Sequence, residues 1–210
     1  MSRMSFYRRY GKRIFDLCLV VPGLILASPL ILYVALRSLV LIGSPVLFTQ
    51  PRPGLKGKVF KMVKFRSMRN DRGADGELLP DHIRLVPWGR KLRDSSLDVL
   101  PELWNVLLGQ MSLVGPRPLL VSYLERYNGE QMRRHEVLPG ITGYAQVNGR
   151  NTISWEEKFA HDVWYVDNVS LGLDIKILFM TFQKVFKRSD ISADGHATMP
   201  EFMGTTSEKR

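Results

Sequence analysis

Twenty consecutive residues without a charge, Leu17 to Leu36, constrain this chain more than any other feature. At 1.5 Å per residue a helix of that length is about 30 Å long, the thickness of a bilayer's hydrocarbon core. From Ile14 to Phe48 the only charges are Asp16 and Arg37. A buried core helix is a poor account, because core helices rarely stay apolar on every face for so long. A cleaved signal peptide fits worse. The apolar run exceeds the usual ~7–15 residues, and no small-residue cleavage pattern follows it.

Charge decides how such a segment sits. The net charge is +10, yet residues 1–73 carry 14 basic and 2 acidic residues, while the remainder is slightly acidic. Arg3, Arg8, Arg9, Lys12 and Arg13 precede the apolar run, and Arg52, Lys56, Lys58, Lys61, Lys64 and Arg66 follow it. Basic flanks favour the cytoplasmic side, so both ends are asked to stay there. Pro29 sits mid-segment, where it lacks an N–H and clashes with the preceding turn. Ser28 beside it has a hydroxyl that can satisfy a freed carbonyl. A re-entrant helix broken at Ser28-Pro29 meets both demands; a kinked single span is the alternative. A nucleic-acid-binding role is disfavoured, because the positive charge hugs the apolar segment and the rest is net negative.

The remaining 160-odd residues suit one domain. A single cysteine, Cys18, excludes a disulfide framework, and His82, His135, His161 and His196 show no two-His metal spacing. The alternation from Val59 to Phe65 predicts a strand or hairpin. Leu100, Leu103, Trp104, Leu107 and Leu108 fall at helical spacing, and Leu119 to Tyr127 reads as a further helix. Residues 74–90 read as turn-rich, and 139–151 as a loop. Residues 173–188 predict a basic amphipathic helix with Ile175, Leu178, Phe179, Phe182 and Val185 on one face. That face would lie at a membrane interface or on the domain's own core. The expected class is α+β and helix-rich, with the membrane segment in 1–48, a cytosolic domain in 49–188 and a polar tail in 189–210.

No P-loop, dinucleotide fingerprint, nucleophile elbow or two-His zinc motif is present. Arg93, Arg117 and Arg150 lie near glycine, proline or serine, where a guanidinium fork can reach a phosphate. Taken singly, such residues are more often surface ion-pair partners. Asp98 stands at the start of the Leu100–Leu108 helix. On the pattern alone an N-cap or first-turn acid is the stronger reading, and a carboxylate held beside phosphates and a divalent metal is the alternative.

The strings FTQPRPGLKGKVFKMVKFRSM, LRDSSLDVLPELWNVLLGQMSLVGPRPLL and PGITGYAQVNGRNTISWEEKFAHDVWYV, with the tail GHATMPEFMG, resemble the bacterial sugar transferases. These are small monotopic phosphoglycosyl transferases, and the chain is most similar to the single-domain type acting on diacetylbacillosamine-like UDP-sugars. The resemblance implies transfer of a sugar 1-phosphate from a UDP-sugar to polyprenol phosphate at the cytoplasmic face of the bacterial inner membrane. UMP leaves and a covalent aspartyl-phosphosugar forms on the way. It implies Asp98 as nucleophile and metal ligand, Mg²⁺ as cofactor, and Arg93, Arg117, Arg150, Lys64 and Gln146 as substrate-binding residues. Membrane lipids and downstream glycosyltransferases are the implied partners, and Ser28-Pro29 the membrane break. One position departs from the pattern. Where the family has an Asp-Glu pair, this chain has Asp98-Val99, and valine neither binds metal nor moves a proton. The expectation is therefore an enzyme of low or absent turnover, with a non-catalytic polyprenol-phosphate-binding scaffold as the alternative.

Overall fold

A computed structural model describes residues 6–149, 153–187 and 201–204. One π-helical turn, Tyr7–Gly11, leads into α1 (Lys12–Leu41), followed by an antiparallel hairpin of β1 (Leu47–Pro53) and β2 (Val59–Phe65). Then come α2 (Asp81–Arg84), α3 (Pro87–Asp94), α4 (Glu102–Leu107), β3 (Ser112–Val114) and α5 (Gly129–Met132). The chain closes with β4 (Gly140–Thr142), α6 (Tyr144–Asn148), α7 (Trp155–Asp167) and α8 (Leu171–Lys187). Strand β3 pairs with β4 in parallel, Ser112 opposite Gly140 and Val114 opposite Thr142.

The predicted strand lies where the alternation puts it, and its partner spans Leu47↔Phe65 to Pro53↔Val59. Pro51 and Pro53 are tolerated there because a two-stranded hairpin leaves each strand an unpaired edge. The 139–151 stretch is more ordered than a loop, since it holds β4 and α6. The reason is close backbone approach. A Cβ at Gly140 would lie 2.1 Å from the Gly115 nitrogen, and one at Gly115 would lie 2.3 Å from the Leu138 carbonyl oxygen. Glycine is thus required at both positions for the strands to meet. Residues 121–126 form a 3₁₀ helix rather than an α-helix, and the 74–90 stretch, expected to be turn-rich, holds α2 and the start of α3.

Helix α1 continues through Pro29, and the Ser28 hydroxyl donates to the Ile25 carbonyl at 2.7 Å. That carbonyl is the one Pro29, lacking an N–H, cannot reach. Both ends of α1 are tied to the same body. Near its start, Lys12 Nζ meets Asp174 Oδ2 at 2.6 Å, and Asp16 Oδ1 accepts from the Leu113 amide at 3.1 Å. Arg13 donates to the carbonyls of Val106 and Leu107 at the end of α4. Near its end, Val34 packs with Phe65 and Leu92, and Trp88 Nε1 donates to Ser38 Oγ at 3.0 Å. Between these anchors Val20 and Leu24 still pack on Met62, Val106 and Met111, but most of the helix is bare: of its most apolar stretch only 11% is buried. A surface of Ile25, Leu26, Leu32 and Val40 has no account in water.

Helix α8 keeps its expected apolar face, and that face is mostly exposed rather than packed on the core. Asp174 and Ile177 are fully buried, while Ile175, Phe179 and Phe182 point outward. Asp174 fixes this rotation, because it accepts from Tyr7 and Tyr165 hydroxyls as well as from Lys12. The tail contributes Phe202, which inserts among Tyr123, Tyr127, Trp155 and Phe159 while Arg126 holds the Phe202 carbonyl at 2.5 Å.

Candidate functional site

The loops after α3 and β3 and the inner faces of α6, α7 and α8 enclose a cavity of about 390 Å³. Five cations line it, Arg93, Arg117, Arg134, Lys158 and Lys184, against two carboxylates, Asp98 and Asp162. Such an excess over a confined volume suits a polyanion.

Each cation is set by local structure. Arg93 ends α3 and donates from Nε to Ser67 Oγ at 2.9 Å, which aims the rest of its fork. Arg117 follows the glycine contact that locks β3 to β4, and its main-chain carbonyl accepts from Arg134 at 2.8 Å. Its guanidinium has no hydrogen-bond or ion-pair partner among the described residues, so its donors remain for a ligand. Arg134 is itself fully engaged, paired with Asp162 at 2.7 Å and bonded to the Tyr127 hydroxyl at 3.1 Å. It braces the Arg117 loop. Lys158 lies over the Trp155 ring, and burial pulls its pKa down to about 8; Asp162 opposes the shift, while Arg117 and Arg134 add to it.

Asp98 lies in a 3₁₀ turn, Leu97–Val99, that precedes α4. The helix starts at Glu102, later than the Leu100–Leu108 spacing suggested, and Asp98 caps no amide. Its carboxylate accepts no hydrogen bond among the described residues, and its nearest ion partner is Lys64 Nζ at 3.8 Å. Lys64 also lies 3.2 Å from Glu102 Oε1, and burial together with Arg117 lowers its pKa while Glu102 and Asp98 hold it up. Val99 lines the same cavity beside Asp98.

Of the expected residues, the cavity thus gathers Asp98, Arg93, Arg117 and Gln146, whose Nε2 donates to the Ile141 carbonyl at 2.9 Å. Lys64 does not line the cavity but reaches its edge beside Asp98, 3.8 Å away. Arg150 lies outside the described residues. Sequence reasoning did not single out Arg134, Lys158, Asp162, Thr181 or Lys184, although Lys158 and Asp162 lie within the third family string. Periodicity alone marks them as parts of ordinary helices.

A long, largely exposed apolar helix points to membrane association, and a cavity lined mainly by cations lies in the domain that it joins. The chain matches the bacterial sugar transferase family over residues 7–188 and belongs to it. It is 53% identical over 194 residues to an uncharacterized sugar transferase, EpsL, of Bacillus subtilis, covering 92% of this chain and 96% of that one. It is 42% identical over 185 residues to the UDP-glucose:undecaprenyl-phosphate glucose-1-phosphate transferase of Klebsiella pneumoniae, and 40% identical over 197 to the undecaprenyl-phosphate galactose phosphotransferase of Salmonella typhimurium. These two alignments cover 83% and 86% of this chain, but only 40% and 41% of the relatives.

Proposed function

We propose that this chain transfers a sugar 1-phosphate from a UDP-sugar to polyprenol phosphate at the cytoplasmic face of the bacterial inner membrane. The observation that carries the reading is an unbonded carboxylate, Asp98, on the wall of a cavity whose other charges are mainly cationic. The printed activities of the Klebsiella and Salmonella relatives support the substrate classes. The near full-length match to the Bacillus chain supports the single-domain form.

In the first step Asp98 attacks the sugar-proximal phosphorus. A carboxylate oxygen–phosphorus bond forms, the bond to the bridging oxygen breaks, and UMP departs with that oxygen. Arg117 and Arg93 hold non-bridging oxygens, and Lys158 faces the same charge from α7. In the second step the polyprenol phosphate attacks the aspartyl phosphorus and frees Asp98. Each anionic substrate thereby uses one set of cations in turn.

The family implies Mg²⁺. Among the described residues no three potential ligands cluster. Yet Mg²⁺ usually takes one or two carboxylates and fills its shell with phosphate and water, so the unbonded Asp98 fits it. Asp98 would hold the ion with the donor diphosphate, and the ion would offset phosphate charge.

Helix α1 is read as re-entrant. Asp16 and Ser38 are 22 residues apart, about 33 Å along a straight helix, and both touch one body. A bilayer-spanning helix would place them on opposite sides. The outward Ile175, Phe179 and Phe182 of α8 supply an interfacial surface for the same leaflet.

The test is UMP release from a panel of UDP-sugars with polyprenol phosphate and Mg²⁺, with mass spectrometry of the Asp98 peptide for a phosphosugar adduct. Val99 favours a second reading, a non-catalytic binder of polyprenol phosphate. Tight polyprenol-phosphate binding with no UMP from any donor would select it.

A further inference from the structure

We infer that Glu102 is a positioning residue that holds Lys64 away from Asp98, so that the Asp98 carboxylate stays free to attack; this rests on the transfer reaction proposed above. Glu102 and Asn105 are three residues apart on one face of α4, and that face meets β2. Asn105 Nδ2 donates to the Lys61 carbonyl at 2.8 Å, and the Val63 amide donates to Asn105 Oδ1 at 3.0 Å. These two hydrogen bonds between helix and strand fix Glu102 against the next residue of β2, Lys64.

The distances then divide the ammonium unequally. Lys64 Nζ is 3.2 Å from Glu102 and 3.8 Å from Asp98, and only the first is near hydrogen-bonding range. Burial explains the preference. Glu102 is 1% exposed and neither of its oxygens accepts a hydrogen bond, so only a nearby cation relieves its desolvated charge. Asp98 borders a cavity and has solvent or ligand as an alternative. Neutralising Glu102 releases the ammonium toward the remaining carboxylate. It then closes to the ~2.8 Å of a charge-assisted bond and occupies a lone pair the nucleophile needs. The chain carries valine where a second carboxylate would adjoin Asp98, so Glu102 is the anion left to restrain Lys64.

The test pairs calorimetry with inorganic pyrophosphate and single-turnover UMP release, on Glu102→Gln, Lys64→Met and the double variant of the full chain. Glutamine keeps the shape and an acceptor while removing the charge. In Glu102→Gln, pyrophosphate affinity is expected unchanged or tighter, and UMP release about tenfold slower. Lys64→Met should weaken pyrophosphate about tenfold. The double variant should release UMP no more slowly than Lys64→Met alone. Weaker pyrophosphate binding in Glu102→Gln, or an equal loss of rate with and without Lys64, would overturn the assignment. If Glu102→Gln does not fold, Glu102→Leu with Lys64→Met removes both buried charges together. A rate matching Lys64→Met supports the role, and a further tenfold loss sinks it. Absence of UMP from the parent with every donor refutes the transfer reaction, and the pyrophosphate comparison still decides whether Glu102 acts through Lys64.

Discussion

Val99 is the position where one substitution tests the reaction most sharply. It lines the cavity next to Asp98, in a turn whose side chains are only partly buried, so glutamate fits there without entering the core. The added carboxylate faces five cavity cations, which offset its charge. Loss of one acid–base or metal-binding group commonly costs on the order of 10²–10⁴ in rate, or about 2.7–5.4 kcal/mol of barrier. Val99→Glu is therefore expected to raise single-turnover UMP release by roughly 10²–10³, below the upper limit because Glu102 already places one carboxylate on the Lys64 ammonium beside Asp98. Asp98→Asn is the control and should abolish the gain, with no adduct on the residue-98 peptide. A parent with an enzyme-like rate and no response to Val99→Glu would refute the pairing argument. Activity that survives Asp98→Asn in either background would refute the nucleophile.

Arg117→Lys keeps the charge but loses the fork. Because the Arg117 guanidinium has no partner among the described residues, the expected ten- to hundredfold drop in kcat/KM measures ligand contact, and unchanged kinetics would remove Arg117 from the site. With Lys158 pulled down to about 8, its cation is present below that pH and lost above it; kcat/KM should fall through pH 8, and Lys158→Arg should push that limb to higher pH. Phe202→Ala empties a site among four aromatic rings and should cost about 3 kcal/mol in denaturant unfolding, whereas a loss below ~1 kcal/mol would mean the tail is not docked. Replacing Pro29 with Leu restores the N–H to Ile25 and should shift the chain toward spanning, read by labelling cysteines at positions 2 and 207 from outside intact cells; equal protection of both ends before and after would discount the proline.

The hairpin strand Val59–Phe65 was legible because period-2 alternation survives in a surface sheet. The β3–β4 pair was not. Three residues carry no periodicity, and the partners sit 28 positions apart in sequence, joined by a glycine contact that only tertiary structure reveals. Asp98, Arg93, Arg117 and Gln146 were legible through family strings, whereas Arg134 and Asp162 form a buried pair between elements and look like surface charges in the sequence. Helix α8 was legible as an amphipathic helix, but not the stripe that it buries. It is apolar around more than one stripe, and the buried stripe is chosen by Asp174, a charged residue that hydropathy assigns to solvent.

The same buried acid changes the argument about topology. Lys12 is spent on Asp174, Arg13 caps the end of α4, and Arg8 donates to the Val166 carbonyl and faces Glu136 at 3.6 Å. Arg66, from the second basic cluster, holds the carbonyls of Ile42 and Gly43 beyond the end of α1. These side chains brace the helix against the domain and have less freedom to meet anionic lipid than a count of charges assumes. Charge bias is statistical, whereas tethering is geometric. Bonds at Lys12 and Asp16 on one side of the apolar run, and at Ser38, Ile42 and Gly43 on the other, converge on one domain. On the re-entrant reading proposed above, a helix leashed at both ends to one domain leaves the bilayer on the side from which it entered, and the Ser28 hydroxyl on the Ile25 carbonyl keeps the turn before Pro29 satisfied.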